Sequence, residues 1–407
     1  MGKRLLILIL VLAAFACKNE VVTKLNTGEW HGTMQVASDE ELPFNFSVSE
    51  SEESGYLIKI RNSEEVVEID EIETQGDSII IKMPVFEGYI SGRFSETDIS
   101  GNFIKESLNR VVPFKATYGE RARFETKERA KVDVSGIWET TFNYGTDSLY
   151  VAKGIFYQDD HKVTGTIRTK TGDYRYLEGV VDGSELKLST FDGAHVFLFK
   201  ALVSDGTLVG QFYSGNHSLE NFKAKRNDAY ELPDAHTLTF LKEGYDSFDF
   251  TFPNEKGELI SLTDARFTDK VVLVQIMGTW CPNCLDETKF YVEYLKNNPN
   301  PELQVVALAF EYAKTKEKAF KGIERLRSRV GVTYPILLAQ IGTSNKTKAN
   351  EKLPMLNHVL SYPTTIYIDK KGTVRKIHTG FNGPATGEKY EAFKAGFTKT
   401  LDELLAE

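Results

Sequence analysis

Three patterns of apolar and polar positions follow one another along the chain. Leu5 to Phe15 is an unbroken apolar run of eleven residues behind Lys3 and Arg4. It is too short for a membrane-spanning helix, which needs about 20 residues, and suits the core of a signal peptide. From Gly28 to about Lys225 the pattern is short and alternating, as in Leu57-Ile58-Lys59-Ile60-Arg61, Ile79-Ile80-Ile81-Lys82-Met83 and Phe197-Leu198-Phe199-Lys200-Ala201. Turn signals punctuate it at Gly76-Asp77, Ser91-Gly92, Asp182-Gly183, Asp192-Gly193 and Asp205-Gly206. No helical period of 3.6 residues occurs there, so the region predicts antiparallel all-β sandwiches or barrels.

Beyond the polar stretch Asn227 to Asp234 the pattern changes again. Phe248 to Leu262 predicts a β-hairpin. Lys270 to Met277 and Leu303 to Phe310 are continuous apolar runs, as strands buried on both faces require. Helical sequence starts near Cys284 and runs to about Lys296; further helices are expected over Lys314 to Arg329 and Ala392 to Leu405. Tyr334 to Leu338 and Thr364 to Ile368 supply strands, the latter followed by the turn Asp369-Lys370-Lys371-Gly372. Alternating strands and helices mean an α/β layer fold. The chain is therefore multidomain: residues 1–16 as signal peptide, 17–27 as tether, β-rich domains over 28–120 and 133–227, and an α/β domain over 235–407.

The two β regions resemble each other. Gly28-Glu29-Trp30 matches Gly136-Ile137-Trp138 at an offset of 108, Gly101-Asn102-Phe103 matches Gly210-Gln211-Phe212 at 109, and Phe114-Lys115-Ala116 matches Phe222-Lys223-Ala224 at 108. Three landmarks at a near-constant offset suggest a degenerate duplication. Neither copy carries a catalytic constellation: His31, His161, His195 and His217 are scattered without metal-ligand spacing. The charged runs Ser49 to Glu53 and Glu120 to Lys131 read as solvated faces or a linker. These domains either hold the C-terminal domain away from a membrane or bind a partner.

The 49 basic and 58 acidic residues leave a net charge of −9, which argues against nucleic acid as a partner. There are only three cysteines, Cys17, Cys281 and Cys284, so no disulfide scaffold is possible. Cys17 stands just after the apolar run, where the segment resembles a bacterial lipoprotein signal; Cys17 would then become the first mature residue and carry the lipid. Ordinary secretory cleavage after Ala14-Phe15-Ala16 is the alternative. It would leave an odd exposed thiol in an oxidising compartment, which favours lipidation. Cys17-Lys18-Asn19-Glu20 also resembles the export signal of Bacteroidota surface lipoproteins.

Cys281 and Cys284 lie in Gly278-Thr279-Trp280-Cys281-Pro282-Asn283-Cys284, between a buried strand and a helix. A structural zinc would need four ligands, and no second Cys or Cys/His pair exists, so the pair reads as redox-active and no metal is expected. At a helix start, unpaired N–H groups and the dipole stabilise a thiolate on Cys281, while Cys284, one turn on, can resolve a mixed disulfide. Pro282 suits the first helical turn. Asp286 and Glu287 are expected to serve the helix dipole.

With Tyr362-Pro363-Thr364-Thr365 added to that motif, residues from about 236 to 407 resemble the thioredoxin superfamily, specifically the TlpA/ResA-like extracytoplasmic thiol–disulfide oxidoreductases. The 82 positions between Cys281 and Pro363 suit that branch's extra strand–helix unit. The β regions resemble N-terminal parts of Bacteroidota TlpA-like proteins. The resemblance implies a cis-proline at Pro363 beside Cys281, with Trp280, Tyr362 and Pro363 contacting substrate. It implies Gln275 where ordinary thioredoxins carry a buried acid, and redox tuning by Pro282, Asn283 and Gln275. Glu311 is then a proton shuttle or a surface residue. The only cofactor would be the Cys281–Cys284 disulfide. Partners would be disulfide-containing extracytoplasmic proteins, a membrane thiol electron donor, and the membrane itself through the anchor. A thiol peroxidase, a binding lipoprotein with an accessory redox domain, and a copper-handling protein using Met277, His358 or His378 are the competing readings.

Overall fold

The computed structural model describes residues 24–52 and 55–407; Cys17, the signal segment and most of the tether lie outside the described residues. The first β unit is a nine-stranded antiparallel meander: β1 (Gly28–Gln35), β2 (Glu41–Ser51), β3 (Gly55–Asn62), β4 (Glu65–Ile69), β5 (Glu71–Gln75), β6 (Ser78–Lys82), β7 (Tyr89–Phe94), β8 (Asp98–Lys105) and β9 (Arg110–Tyr118). Because β1 pairs with both β2 and β9, the sheet curls back on itself and stays open only between β4 and β5. Alternation puts Trp30, Met34, Phe44, Phe46 and Phe114 inside.

The second unit comprises β10 (Gly136–Phe142), β11 (Tyr150–Asp159), β12 (Lys162–Thr169), β13 (Gly172–Asp173), β14 (Leu177–Asp182), β15 (Glu185–Phe191), β16 (Val196–Ser204), β17 (Thr207–Ser214) and β18 (Ser218–Arg226). Here β11 pairs with β12, β12 with β14, and β10 with β18, so the ring closes into a barrel. The repeat is visible in the pairing itself. Trp30 faces Phe46 and Tyr118; Trp138 faces Gly154 and Arg226, each position moved by 108. Both indoles donate Nε1–H to a carbonyl four residues earlier, Asn26 at 3.0 Å and Val134 at 2.8 Å.

One expected turn is not a turn. Ser91-Gly92 lies inside β7, where Gly92 sits opposite Gly101 of β8. A Cβ on Gly92 would come within 2.2 Å of the Ser100 carbonyl, so glycine marks close strand approach here. The charged run Glu120 to Lys131 is also not simply solvated. Arg123 is buried, donating to Ser189 O at 3.2 Å, to Asn62 Oδ1 at 3.3 Å and to Arg61 O, and so straps the two β units together. Glu231, in the stretch read as a linker, accepts from Lys153 at 2.6 Å and Arg168 at 3.0 Å.

The third unit carries a short hairpin, β19 (Thr251–Pro253) and β20 (Leu259–Ser261), then β21 (Val271–Met277), α1 (Pro282–Asn297), β22 (Leu303–Phe310), α2 (Lys316–Val330), β23 (Ile336–Gln340), α3 (Lys346–Lys352), β24 (Thr364–Ile368), β25 (Val374–Thr379) and α4 (Glu388–Ala406). The sheet order is β23-β22-β21-β24-β25, with β21, β22 and β23 parallel, β24 antiparallel to β21, and β25 antiparallel to β24. Every residue of β21, β23 and β24 is buried, as strands covered on both faces require. The first helix starts two residues before the expected Cys284, because Pro282 supplies its first position and Cys281 its cap. The strand expected at Tyr334 to Leu338 lies two residues later, and the last helix begins four residues earlier than expected. Phe86 of the first unit and Ala194 of the second belong to the same apolar cluster as β21 to β24, so all three units share packing.

Candidate active site

The fully buried strand β21 delivers Gly278-Thr279-Trp280 to the start of α1. Glu311, just past β22, pins this loop: one carboxylate oxygen accepts from Thr279 N at 2.8 Å, the other from Thr279 Oγ1 at 2.7 Å. The Trp280 indole donates to Phe310 O at 2.8 Å, and its ring lies 4.4 Å from that of Tyr312 and 5.5 Å, edge-on, from that of Tyr362. Both ends of the loop are thus fixed before the cysteines are reached.

Cys281 caps α1. Its Sγ accepts the Cys284 N–H at 3.3 Å and donates to the Tyr362 carbonyl at 3.2 Å. That carbonyl precedes Pro363 across a cis peptide bond. Both cysteines are free thiols; Cys281 is 5% exposed and Cys284 fully buried. Burial, then the hydrogen bond and charge of Cys281, hold the Cys284 thiol well above the usual range. The geometry gives the two sulfurs different chemistry: one accepts a helix N–H, the other is a persistent thiol behind it.

Behind the cysteines sits a buried polar group. Gln275 Nε2, in the middle of β21, donates to Glu287 Oε2 at 2.8 Å, and Thr365 Oγ1 donates to Glu287 Oε1 at 3.0 Å. Burial pushes the Glu287 carboxyl up to about 7, against the lowering effect of those bonds, and its charge in turn raises the Cys284 thiol. Glu287 is therefore not a dipole-serving surface group. It lies in the second turn of α1, three residues past Cys284 and on the same face. Its signal in the sequence was Gln275 itself, since an amide inside an apolar run needs a buried partner. Glu311 is also fully buried and pushed up by that burial to about 7, rather than lying on the surface.

Asp286 departs from expectation too. Its side chain is only 9% exposed, and its Oδ1 accepts from Arg175 Nη2 at 3.1 Å. Arg175 belongs to the second β unit and also pairs with Asp192 at 3.2 Å and with Glu65 of the first unit at 2.5 Å, so one guanidinium joins all three units. Asn283, expected to tune the dithiol, has its amide occupied by Asp173 O and Phe381 O, each at 3.1 Å. The β12–β13 corner is pressed against the loops around the cysteines. Ser361 Oγ donates to Thr171 O at 2.8 Å, Gly383 N donates to Asp173 Oδ2 at 2.6 Å, and a Cβ on Gly172 would meet Asn283 Nδ2 at 2.7 Å. Among the described residues no group of three or more His, Cys, Asp or Glu is placed to hold a metal ion. His378 packs against His236 and Phe393.

Comparison with known proteins agrees with this geometry. The Redoxin family model matches residues 242–393. The chain is 33% identical over 140 residues to the thioredoxin-like protein YneN of Bacillus subtilis, covering 34% of this chain and 73% of that one. It is 28% identical over 142 residues to the thiol–disulfide oxidoreductase ResA of Geobacillus thermodenitrificans, covering 35% and 72% respectively. A solved thiol–disulfide oxidoreductase of Bacteroides fragilis aligns at 18% identity and a TM-score of 0.27, over 37% of this chain and 99% of its own. Through the region that carries Cys281 and Cys284, the chain belongs to the thioredoxin-like thiol–disulfide oxidoreductases of the ResA kind.

Proposed function

We propose that the protein reduces disulfides in extracytoplasmic proteins, using Cys281 as nucleophile and Cys284 as resolving thiol, from a membrane anchor at Cys17. The observation that carries the reading is the cap geometry: Cys281 Sγ receives the Cys284 N–H at 3.3 Å while Cys284 itself is held as a buried thiol. In the first half-reaction the Cys281 thiolate attacks one sulfur of the substrate disulfide and the other leaves as a thiolate, giving a mixed disulfide. Cys284 then loses its proton and attacks Sγ of Cys281. The second substrate sulfur leaves, and the enzyme keeps the Cys281–Cys284 disulfide. The substrate has gained two electrons and two protons. A thiol donor, in the cell one held at the membrane, must restore the dithiol.

Glu287, three residues past Cys284 on the same face of α1 and with its carboxyl pushed up to about 7, is the buried carboxyl that would take the Cys284 proton. Glu311 fixes the approach of the loop through Thr279 and shares the raised pKa that proton exchange near neutrality needs. Trp280, Tyr362 and Pro363 form the wall beside Cys281 on which an extended substrate would lie. Cys17 lies outside the described residues, and no helix among those described is long and apolar enough to cross a membrane. Disulfides persist outside the cytoplasm, so a tethered reductant there has substrates.

The test is reduction of insulin disulfides with dithiothreitol as donor. Wild type should turn over, and Cys281→Ser should lose at least about a thousandfold, since serine cannot form the mixed disulfide. Retained turnover in Cys281→Ser would place the chemistry elsewhere. Redox titration of the pair fixes direction: a potential near about −250 mV or lower marks a reductant.

A further inference from the structure

The three units enclose a cavity of about 180 Å³ that opens beside the cysteine loop, with Trp280 and Pro282, the two neighbours of Cys281, in its wall. Its opposite walls come from both β units. Lys105, at the end of β8, and Arg110, at the start of β9, reach it from the first; His195 and His217 line it from the second. Among the described residues neither Lys105 nor Arg110 is within ion-pair distance of a carboxylate. Lys105 Nζ is held instead by the Ala194 carbonyl at 2.5 Å.

Burial lowers Lys105 to about 8, and His217 is brought down to about 4 by burial and then by the charges of Arg110 and Lys105. The single carboxylate in the lining, Glu87, is turned to Ser107, accepting from its N–H at 3.1 Å and its hydroxyl at 2.8 Å. A pocket lined by two cations, neither of them in an ion pair, is unsatisfied as it stands, because partly desolvated cations gain most from an anion placed among them. The protein's overall net charge of −9 makes this local positive pocket the more distinctive.

We propose that this pocket binds a carboxylate on the disulfide substrate, an acidic side chain next to the substrate cysteine, and so makes acidic disulfide peptides the preferred substrates. The proposal rests on the oxidoreductase reading above and adds the substrate class. The position follows from the wall: a peptide whose sulfur meets Cys281 lays its neighbouring residues over Trp280 or Pro282, at the mouth of the cavity. The volume accommodates one side chain rather than a whole ligand. In this arrangement the two β units act as the specificity element of the redox site, contributing equal shares of the lining.

The experiment compares two C-terminally amidated peptide disulfides, identical except for Glu or Gln beside the cysteine, as substrates of the full chain. Wild type should reduce the Glu peptide with kcat/KM about tenfold higher, an advantage that shrinks in 0.5 M salt. Arg110→Gln should abolish the advantage while reducing the Gln peptide at the wild-type rate, which also shows that the variant is folded; Lys105→Met is the second variant. Equal rates on both peptides in wild type, or a preference that survives both substitutions, would overturn the pocket while leaving the dithiol chemistry intact. Failure of wild type to reduce either peptide would overturn the reductase reading, and the pocket's role with it.

Discussion

The two β units repeat each other strand for strand until the fourth, and there they part. In the first unit β4 pairs with β3 over its whole length, and the chain turns away at Asp70 and Glu71, leaving the sheet open. In the second unit the corresponding strand shrinks to the two residues of β13, and β14 takes over pairing with β12, closing the barrel. Both corners are used for the same purpose. The first receives Arg325 and Arg329 from α2 on Asp70 and Glu71; the second sends Asp173 and Arg175 to the start of α1. The corner that stays open meets α2 through half-exposed ion pairs. The corner that closed meets the cysteine helix through buried ones. A duplicated scaffold has thus placed two equivalent corners on one redox unit, and burial is what distinguishes them.

The strongest way to break this comparison is at its shared root. Trp30→Ala and Trp138→Ala each remove a fully buried indole from the same register position, and each should cost about 4 kcal/mol in urea unfolding. A near-silent effect at one of them would show that the repeated register no longer carries equal packing. Next in size is Arg175→Met, which leaves Glu65, Asp192 and Asp286 without their common cation in the interior. A loss of about 3 kcal/mol is expected, because stranded buried charges are the costly outcome. The matching change at the open corner, Arg329→Gln, should cost less than about 1 kcal/mol, since Arg329 and Asp70 are both substantially solvated. Equal losses from Arg175→Met and Arg329→Gln would erase the distinction drawn between the corners.

Local chemistry was readable from the chain, and long-range chemistry was not. Leu303 to Phe310 announces its strand by a continuous apolar run and Thr364 to Ile368 by β-branched and aromatic residues, and the structure places both strands on those residues. The tryptophan landmarks carried the repeat because a buried indole and its strand register are tied together. The Cys-x-x-Cys between strand and helix marked the pair that the structure brings together at the cap of α1. By contrast, Asn283 and Asp286 meet Asp173 and Arg175, more than 100 positions earlier, and no local pattern encodes such a contact. Arg123 looked like one more charge in a solvated run, because burial of an arginine depends on carbonyls supplied by other strands. Gly92 looked like a turn residue because glycine's absence of a side chain serves close strand pairing and turns alike.

The shared packing of Phe86 and Ala194 with the redox sheet has a practical meaning for anyone who would treat this protein as an enzyme on a disposable stalk. Cutting at residue 235 would strip away part of that packing. The excised piece would carry Asp286 without its arginine, Asn283 without one of its two carbonyl partners, and an apolar surface where two foreign side chains had been. The repeat is written in the strand register, while in the folded chain the catalyst borrows part of its interior from its neighbours.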